Sequence, residues 1–140
     1  MDLEFQYSCS GIDWNLVLEI LKRAGLSYYD SDIHKKAFEN SQVVIFAFDN
    51  GKLIGFGRAI SDGICDAAIY DVAILPEYQR KLIGSRIVRY ILEQLSGCDV
   101  ILFSTPGTEP FYEKFHFRKM ITGMALFKDA EEKVKTGYIE

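Results

Sequence analysis

What is scarce in this chain narrows its function before anything abundant does. Histidine occurs twice, as His34 and His116, too few and too far apart to seed a His-based metal cluster. Cysteine occurs three times, as Cys9, Cys65 and Cys98, without pair spacing. An odd, unpaired set argues against a disulfide framework or a zinc site and fits reduced, buried thiols. No apolar run approaches the roughly 18 residues of a membrane span. The start, MDLEFQYSCS, lacks the basic and apolar blocks of a signal peptide. A cytoplasmic protein with no membrane partner is therefore expected. Positive charge is also short: the formal net charge is -4, so no nucleic-acid partner is expected, since that would need a basic footprint. No repeat or Pro/Gly/Ser-rich linker divides the 140 residues, which predicts a single domain over 1–140.

Apolar material is plentiful. Hydrophobic residues make up 49 % of the chain, including ten Phe, eight Tyr and one Trp, enough for a dense core. LEFQY (Leu3 to Tyr7) alternates as a short strand does. After Asp13, residues Trp14, Val17, Leu18, Leu21 and Ala24 recur at helical spacing up to Gly25, a C-terminal stop. A second helix is predicted over Asp32 to Asn40, with Ile33, Ala37 and Phe38 inward. VVIFAF (Val43 to Phe48) then meets Asp49-Asn50-Gly51 and KLIGFGRAIS, a hairpin signal because Asn and Gly tolerate positive φ. A turn at Ser61-Asp62-Gly63 leads to the apolar run Cys65 to Leu75, which reads as a central strand covered on both faces.

Ile83, Ile87, Val88, Ile91, Leu92 and Leu95 mark one face of a helix ending near Gly97. DVILFST (Asp99 to Thr105) reads as another buried strand, so strand, helix and strand make a βαβ unit with parallel pairing. Thr108-Glu109-Pro110 opens a short helix containing FYEKF. A last strand is predicted at Gly123 to Phe127, before a charged end over 129–140 that reads as a solvated helix or tail.

Between the central strand and the long helix lies PEYQRKLIGSRIV, Pro76 to Val88. Unpaired backbone N–H groups at a helix start, with the positive end of its dipole, form an anion site. Gly84 permits close approach, and Arg80, Lys81 and Arg86 add a basic collar in an acidic protein. An ordinary strand-to-helix turn can share these features by chance. A nucleotide-phosphate binder is a weaker rival reading, and the absent Lys-Ser/Thr after the glycine argues against a P-loop NTPase.

The stretch Ile74-Leu75-Pro76-Glu77-Tyr78-Gln79-Arg80-Lys81-Leu82-Ile83-Gly84-Ser85 resembles the R/Q-x-x-G-x-G/A signature of the GCN5-related N-acetyltransferase (GNAT) superfamily. Downstream, Phe111-Tyr112-Glu113-Lys114-Phe115-His116-Phe117 resembles that family's aromatic-Tyr-x-x-x-Gly-Phe motif. The order of elements is similar over about residues 3 to 128. The resemblance implies an α/β fold with a mixed, mostly antiparallel six- or seven-stranded sheet and helices on both faces. It implies acetyl transfer from acetyl-CoA, without a metal, to a primary amine of a small molecule or peptide in a ternary complex. The N–H groups of Gln79, Arg80, Lys81, Leu82, Ile83, Gly84 and Ser85 would hold the pyrophosphate. The edge of Val72, Ala73 and Ile74 would pair with the pantetheine, one N–H polarising the thioester carbonyl. Tyr112 would protonate the departing thiolate; the bland reading is a core tyrosine.

Tyr70 shares strand parity with Val72 and Ile74, which puts it toward the cleft and Asp71 on the other face in a structural role. Acceptor contacts are implied for loops carrying Tyr28, Tyr29 and Asp62, with Asp30, Asp32 and Asp66 nearby. These are equally caps and turn residues. Two departures stand out: Leu82 replaces the first motif glycine and His116 replaces the glycine of the second motif. Leu82 keeps its N–H but does not tolerate positive φ as glycine does. That feeds a rival reading, a non-catalytic acyl-CoA-binding regulatory module. A homodimer is compatible with either.

Overall fold

The computed structural model describes residues 1–140, which divide into two units, Met1–Leu102 and Phe103–Glu140. The first holds a sheet of five strands in the order β1-β2-β3-β4-β5: β1 (Leu3–Gln6), β2 (Val43–Asp49), β3 (Lys52–Ser61), β4 (Asp66–Ile74) and β5 (Asp99–Ile101). The first four pair antiparallel and β5 lies parallel to β4. Helices α1 (Trp14–Arg23), α2 (Ser31–Glu39) and α3 (Ile83–Gln94) complete this unit. The mixed, mostly antiparallel sheet with helices on both faces is as expected; the strand count is five.

Local chemistry accounts for most elements. Asp13 caps α1, its carboxylate accepting the Asn15 N–H at 3.0 Å, and Val17, Ile20 and Leu21 are buried from that helix. Asn50 (φ 49) and Gly51 (φ 80) make the β2–β3 turn that the sequence predicts. On one sheet face, Phe46 and Phe56 meet Phe38 of α2 and Trp14 of α1, with centroids 5.4 to 6.3 Å apart. On the other, Ile83, Ile87, Val88 and Ile91 of α3 are buried.

Three expectations are corrected. In α2, Ile33 is exposed and His34 is buried at 4 % exposure; the imidazole is tolerated there because its Nε2 accepts the Tyr29 N–H at 2.9 Å. The strand expected over Asp99 to Thr105 stops at Ile101, which is half exposed. As the edge of the sheet, β5 has no outer neighbour to extend it. Gly123 to Phe127 forms no strand, and Met124 and Leu126 are fully exposed. Apolar alternation makes a strand only where a ladder partner exists. The second unit instead carries α4 (Glu109–Glu113) and α5 (Ala130–Lys135), the latter capped by Asp129 within the expected charged end.

Candidate cofactor and active site

The centre of β4 is irregular. Phe56 of β3 faces Ala73 and Arg58 faces Tyr70, so Gly57 opposes both Asp71 and Val72. This is a β-bulge, an extra residue on one strand. Asp71 takes the extra turn at φ 56. Gly57 has to be glycine here: a Cβ would come 2.9 Å from Ile87 and 3.3 Å from Val72. Paired residues of a ladder share a face, so Tyr70 lies with Arg58, Phe56 and Ala73, on the side of Phe38. Val72 lies opposite, against α3. The bulge therefore overturns the expected common parity of Tyr70, Val72 and Ile74. Asp71 is also drawn to the Tyr70 side, where its Oδ2 accepts from Arg58 Nε at 2.7 Å. The two side chains are only 16 % and 21 % exposed. The Arg58 guanidinium sits 5.3 Å over the Tyr70 ring and 5.7 Å over that of Phe38, and it donates to Ser41 Oγ at 3.3 Å.

The far edge of β4 is free for most of its length, because β5 pairs only with Asp66, Ala67 and Ala68. Along Val72 to Ile74 the β5-side edge has no strand partner, while Ala73 and Ile74 keep their pairing with β3.

Beyond Ile74 the chain enters a 3-10 turn, Pro76–Tyr78, tied at three points. The Tyr78 hydroxyl donates to Asp49 Oδ2 at 2.6 Å. Arg23 grips Glu77 through two hydrogen bonds of 3.0 and 2.7 Å. Gln79 Nε2 donates back to the Ile74 carbonyl at 3.1 Å. These contacts hold Glu77 and Asp49 below the usual carboxylate range, chiefly through their hydrogen bonds to Arg23 and Tyr78. Arg80 (φ 64) and Leu82 (φ 65) are both left-handed. Leu82 is the residue before α3, offers no side-chain cap, and is 70 % exposed. The first-turn N–H groups of α3 thus lack a side-chain acceptor from the cap position, the arrangement that receives an external anion. Arg80 and Lys81 are exposed beside them, whereas Arg86 is laid over the Phe5 ring at 4.6 Å. Ile83 and Ser85 are buried and fix the helix start.

In the second unit, Tyr112 is half-buried on α4 between Phe111 and Phe117, with ring centroids 5.0 and 6.0 Å away. Burial pushes its phenol up to about 12, so it is neutral at physiological pH. His116 (φ 72) ends the motif, its N–H donating to the Glu113 carbonyl at 3.0 Å. It takes the left-handed position that glycine usually fills.

The acceptor-side residues divide. Tyr28 and Tyr29 are exposed on the α1–α2 loop, and Tyr29 lies 5.9 Å from the His34 ring. Asp62 is engaged in its own turn: Oδ1 accepts the N–H groups of Ile64, Cys65 and Asp66, and Oδ2 accepts the Cys65 thiol. Those bonds, from Cys65 first, hold its carboxyl far below the usual range. The same contact with Asp62 pushes the Cys65 thiol up to about 12. A groove of about 500 Å³ opens elsewhere, beside Tyr7, Cys9, Glu39 and Gln42, and none of the expected site residues lines it. Sequence reasoning missed the Arg58–Asp71 pair and the left-handed Arg80. The available signal was one charge of each sign inside two neighbouring apolar strands.

Comparison with known proteins identifies the family. The family model described as an acetyltransferase (GNAT) domain matches residues 40–119. An N-acetyltransferase of uncharacterised role, ycf52 from Pyropia yezoensis, is 31 % identical over 123 residues, covering 83 % of this chain. The chain spans 64 % of that relative's length. Serotonin N-acetyltransferase 2 of rice, a chloroplastic protein, is 25 % identical over 89 % of this chain and 68 % of its own. The solved structure of a GNAT-family acetyltransferase from Streptococcus pneumoniae superposes with a TM-score of 0.76 at 22 % identity, covering 91 % of this chain and 98 % of that one. The chain belongs to the GNAT acetyltransferase family.

Proposed function

We propose that this chain transfers the acetyl group of acetyl-CoA to a primary amine by direct attack in a ternary complex. The observation that carries this reading is the adjacency of an unpaired β4 edge and an uncapped helix start. One suits the amides of the pantetheine arm and the other suits a diphosphate. Acetyl-CoA supplies an acyl group already activated as a thioester. Val72 and Ile74 orient the arm by strand-like hydrogen bonds, with Ala73 between them paired to β3, and one peptide N–H polarises the carbonyl under attack. The N–H groups from Gln79 to Ser85, with Arg80 and Lys81, hold the phosphates. Tyr112 serves the leaving sulfur. Its raised pKa keeps the phenol protonated, so it acts first as a hydrogen-bond donor to the developing thiolate. Water accepts the proton of the amine.

The acceptor is drawn toward an arylalkylamine by the exposed Tyr28 and Tyr29, and by the name of the rice relative, serotonin N-acetyltransferase 2; the Tyr70 ring is instead taken by Arg58. Asp62 contributes by shaping its turn. The proposed setting is the cytoplasm, on three unpaired thiols; the rice relative is named as chloroplastic. No helix is long and apolar enough to cross a membrane.

The left-handed Leu82 favours a second reading, a non-catalytic acyl-CoA-binding regulatory module. Thiol release from acetyl-CoA across arylalkylamines, polyamines, aminoglycosides, amino acids and peptides separates the two. Amine-dependent release supports the enzyme. Tight CoA binding without release on any amine leaves the regulatory module, and no CoA binding removes both.

A further inference from the structure

The β4 bulge changes which peptide groups face the open edge. At the end of β4, Leu75 N–H donates to the Ile54 carbonyl at 2.9 Å. At its start, Asp62 N–H donates to the Asp66 carbonyl at 3.3 Å. Antiparallel ladders alternate strictly between residues that bond the partner strand and residues turned away. From the start, Asp66, Ala68 and Tyr70 therefore turn toward β3; from the end, Leu75 and Ala73 do. The even series becomes an odd one at Asp71 and Val72. Consequently Val72 and Ile74 turn their N–H and C=O groups outward. In an unbroken strand they would bond β3 instead.

The switch needs Asp71 in a left-handed conformation, costly for most residues and milder for aspartate. What holds it is the half-buried Arg58, fixed on the neighbouring strand by Asp71, Ser41 and two aromatic faces. We propose that the Arg58–Asp71 pair is the positioning device that makes Val72 and Ile74 the ligand-facing peptides of the open β4 edge. This rests on reading that edge as the acetyl-CoA site. The pair touches no reacting atom; it decides which backbone atoms can.

Three variants test it: Arg58→Met removes the charge, Asp71→Gly keeps positive φ without the carboxylate, and Asp71→Asn keeps both an oxygen acceptor and left-handed tolerance. Calorimetry is run with CoA and with its 3′-phosphorylated ADP fragment, which has the diphosphate and no pantetheine. Arg58→Met and Asp71→Gly are expected to weaken CoA about tenfold through two lost peptide hydrogen bonds. The fragment's affinity stays unchanged, and Asp71→Asn stays near wild type. Unchanged CoA affinity, or parallel loss of both ligands, overturns the proposal. Should wild type bind neither ligand, the acetyl-CoA reading fails, and amide exchange in the free protein still decides the clamp. Val72 and Ile74 exchanging faster than Ala73 and Leu75, with the contrast erased in Arg58→Met, supports it; a contrast untouched by that substitution overturns it.

Discussion

Asp71 and Leu82 stand at the two ends of the proposed cofactor stretch, and both hold a left-handed backbone without being glycine. They do so on different terms. Asp71 is locked to Arg58 in a partly covered ion pair, and its strain is matched by a specific contact. Leu82 projects an exposed side chain with no cap bond, and it is held by its carbonyl, which accepts the Arg86 N–H at 3.1 Å, and by its buried neighbours Ile83 and Ser85. The bulge is over-determined, whereas the cradle is held from outside itself. Strain at a functional site persists where the surroundings over-determine it, so the two positions should answer substitution with opposite signs.

The largest effect is expected at the bulge. Asp71→Ala loses a charge-assisted hydrogen bond, strands Arg58 and adds left-handed strain, so urea unfolding should show a loss of about 2 kcal/mol. A loss within experimental error would mean the pair is not what holds the bulge. Leu82→Gly should act the other way and stabilise by about 0.5–1 kcal/mol, the relieved strain being partly offset by unfolded-state entropy. It should also tighten CoA a few-fold, while Leu82→Ala should stabilise nothing; equal behaviour of the two would remove φ as the cause. His116→Gly repeats the experiment where the residue type is better tolerated, and unfolding should register a smaller gain, below about 0.5 kcal/mol.

The last prediction uses His34 as a reporter. Burial lowers its pKa from the ordinary histidine value, and the nearby Asp71 charge partly restores it. Because the folded value is depressed, this histidine's contribution to stability is complete above the unfolded pKa of about 6.5. It is lost as pH falls from there through the folded value. Asp71→Asn should lower the imidazole pKa further in an NMR titration, whereas Leu82→Gly should leave it alone. A shift in both variants would mean that the two regions are coupled.

Much of the fold was legible because local signals agree: the Asn50-Gly51 turn, the α3 stripe from Ile83 to Leu95, and the βαβ order. The left-handed turn before α3 was legible too, since Leu82 stands out as the residue that replaces a glycine. The bulge was not. Strict alternation assigns Tyr70 and Val72 to one face, and only a register shift across β3 reverses that. Arg58 and Asp71 carried the hint as opposite charges in apolar strands, without stating their pairing. The over-long β5 and the absent strand at Gly123 to Phe127 failed for a related reason: strand formation depends on a neighbour, and neighbours are not written in a single segment.

The central claim is that the β4 edge and the α3 start form one acetyl-CoA site. An amide-resolved NMR titration of the wild-type protein with CoA tests it most directly. The largest shifts are predicted at Val72 and Ile74 and across Arg80 to Ser85, saturating together. CoA binding that leaves those amides silent and perturbs another surface would contradict it.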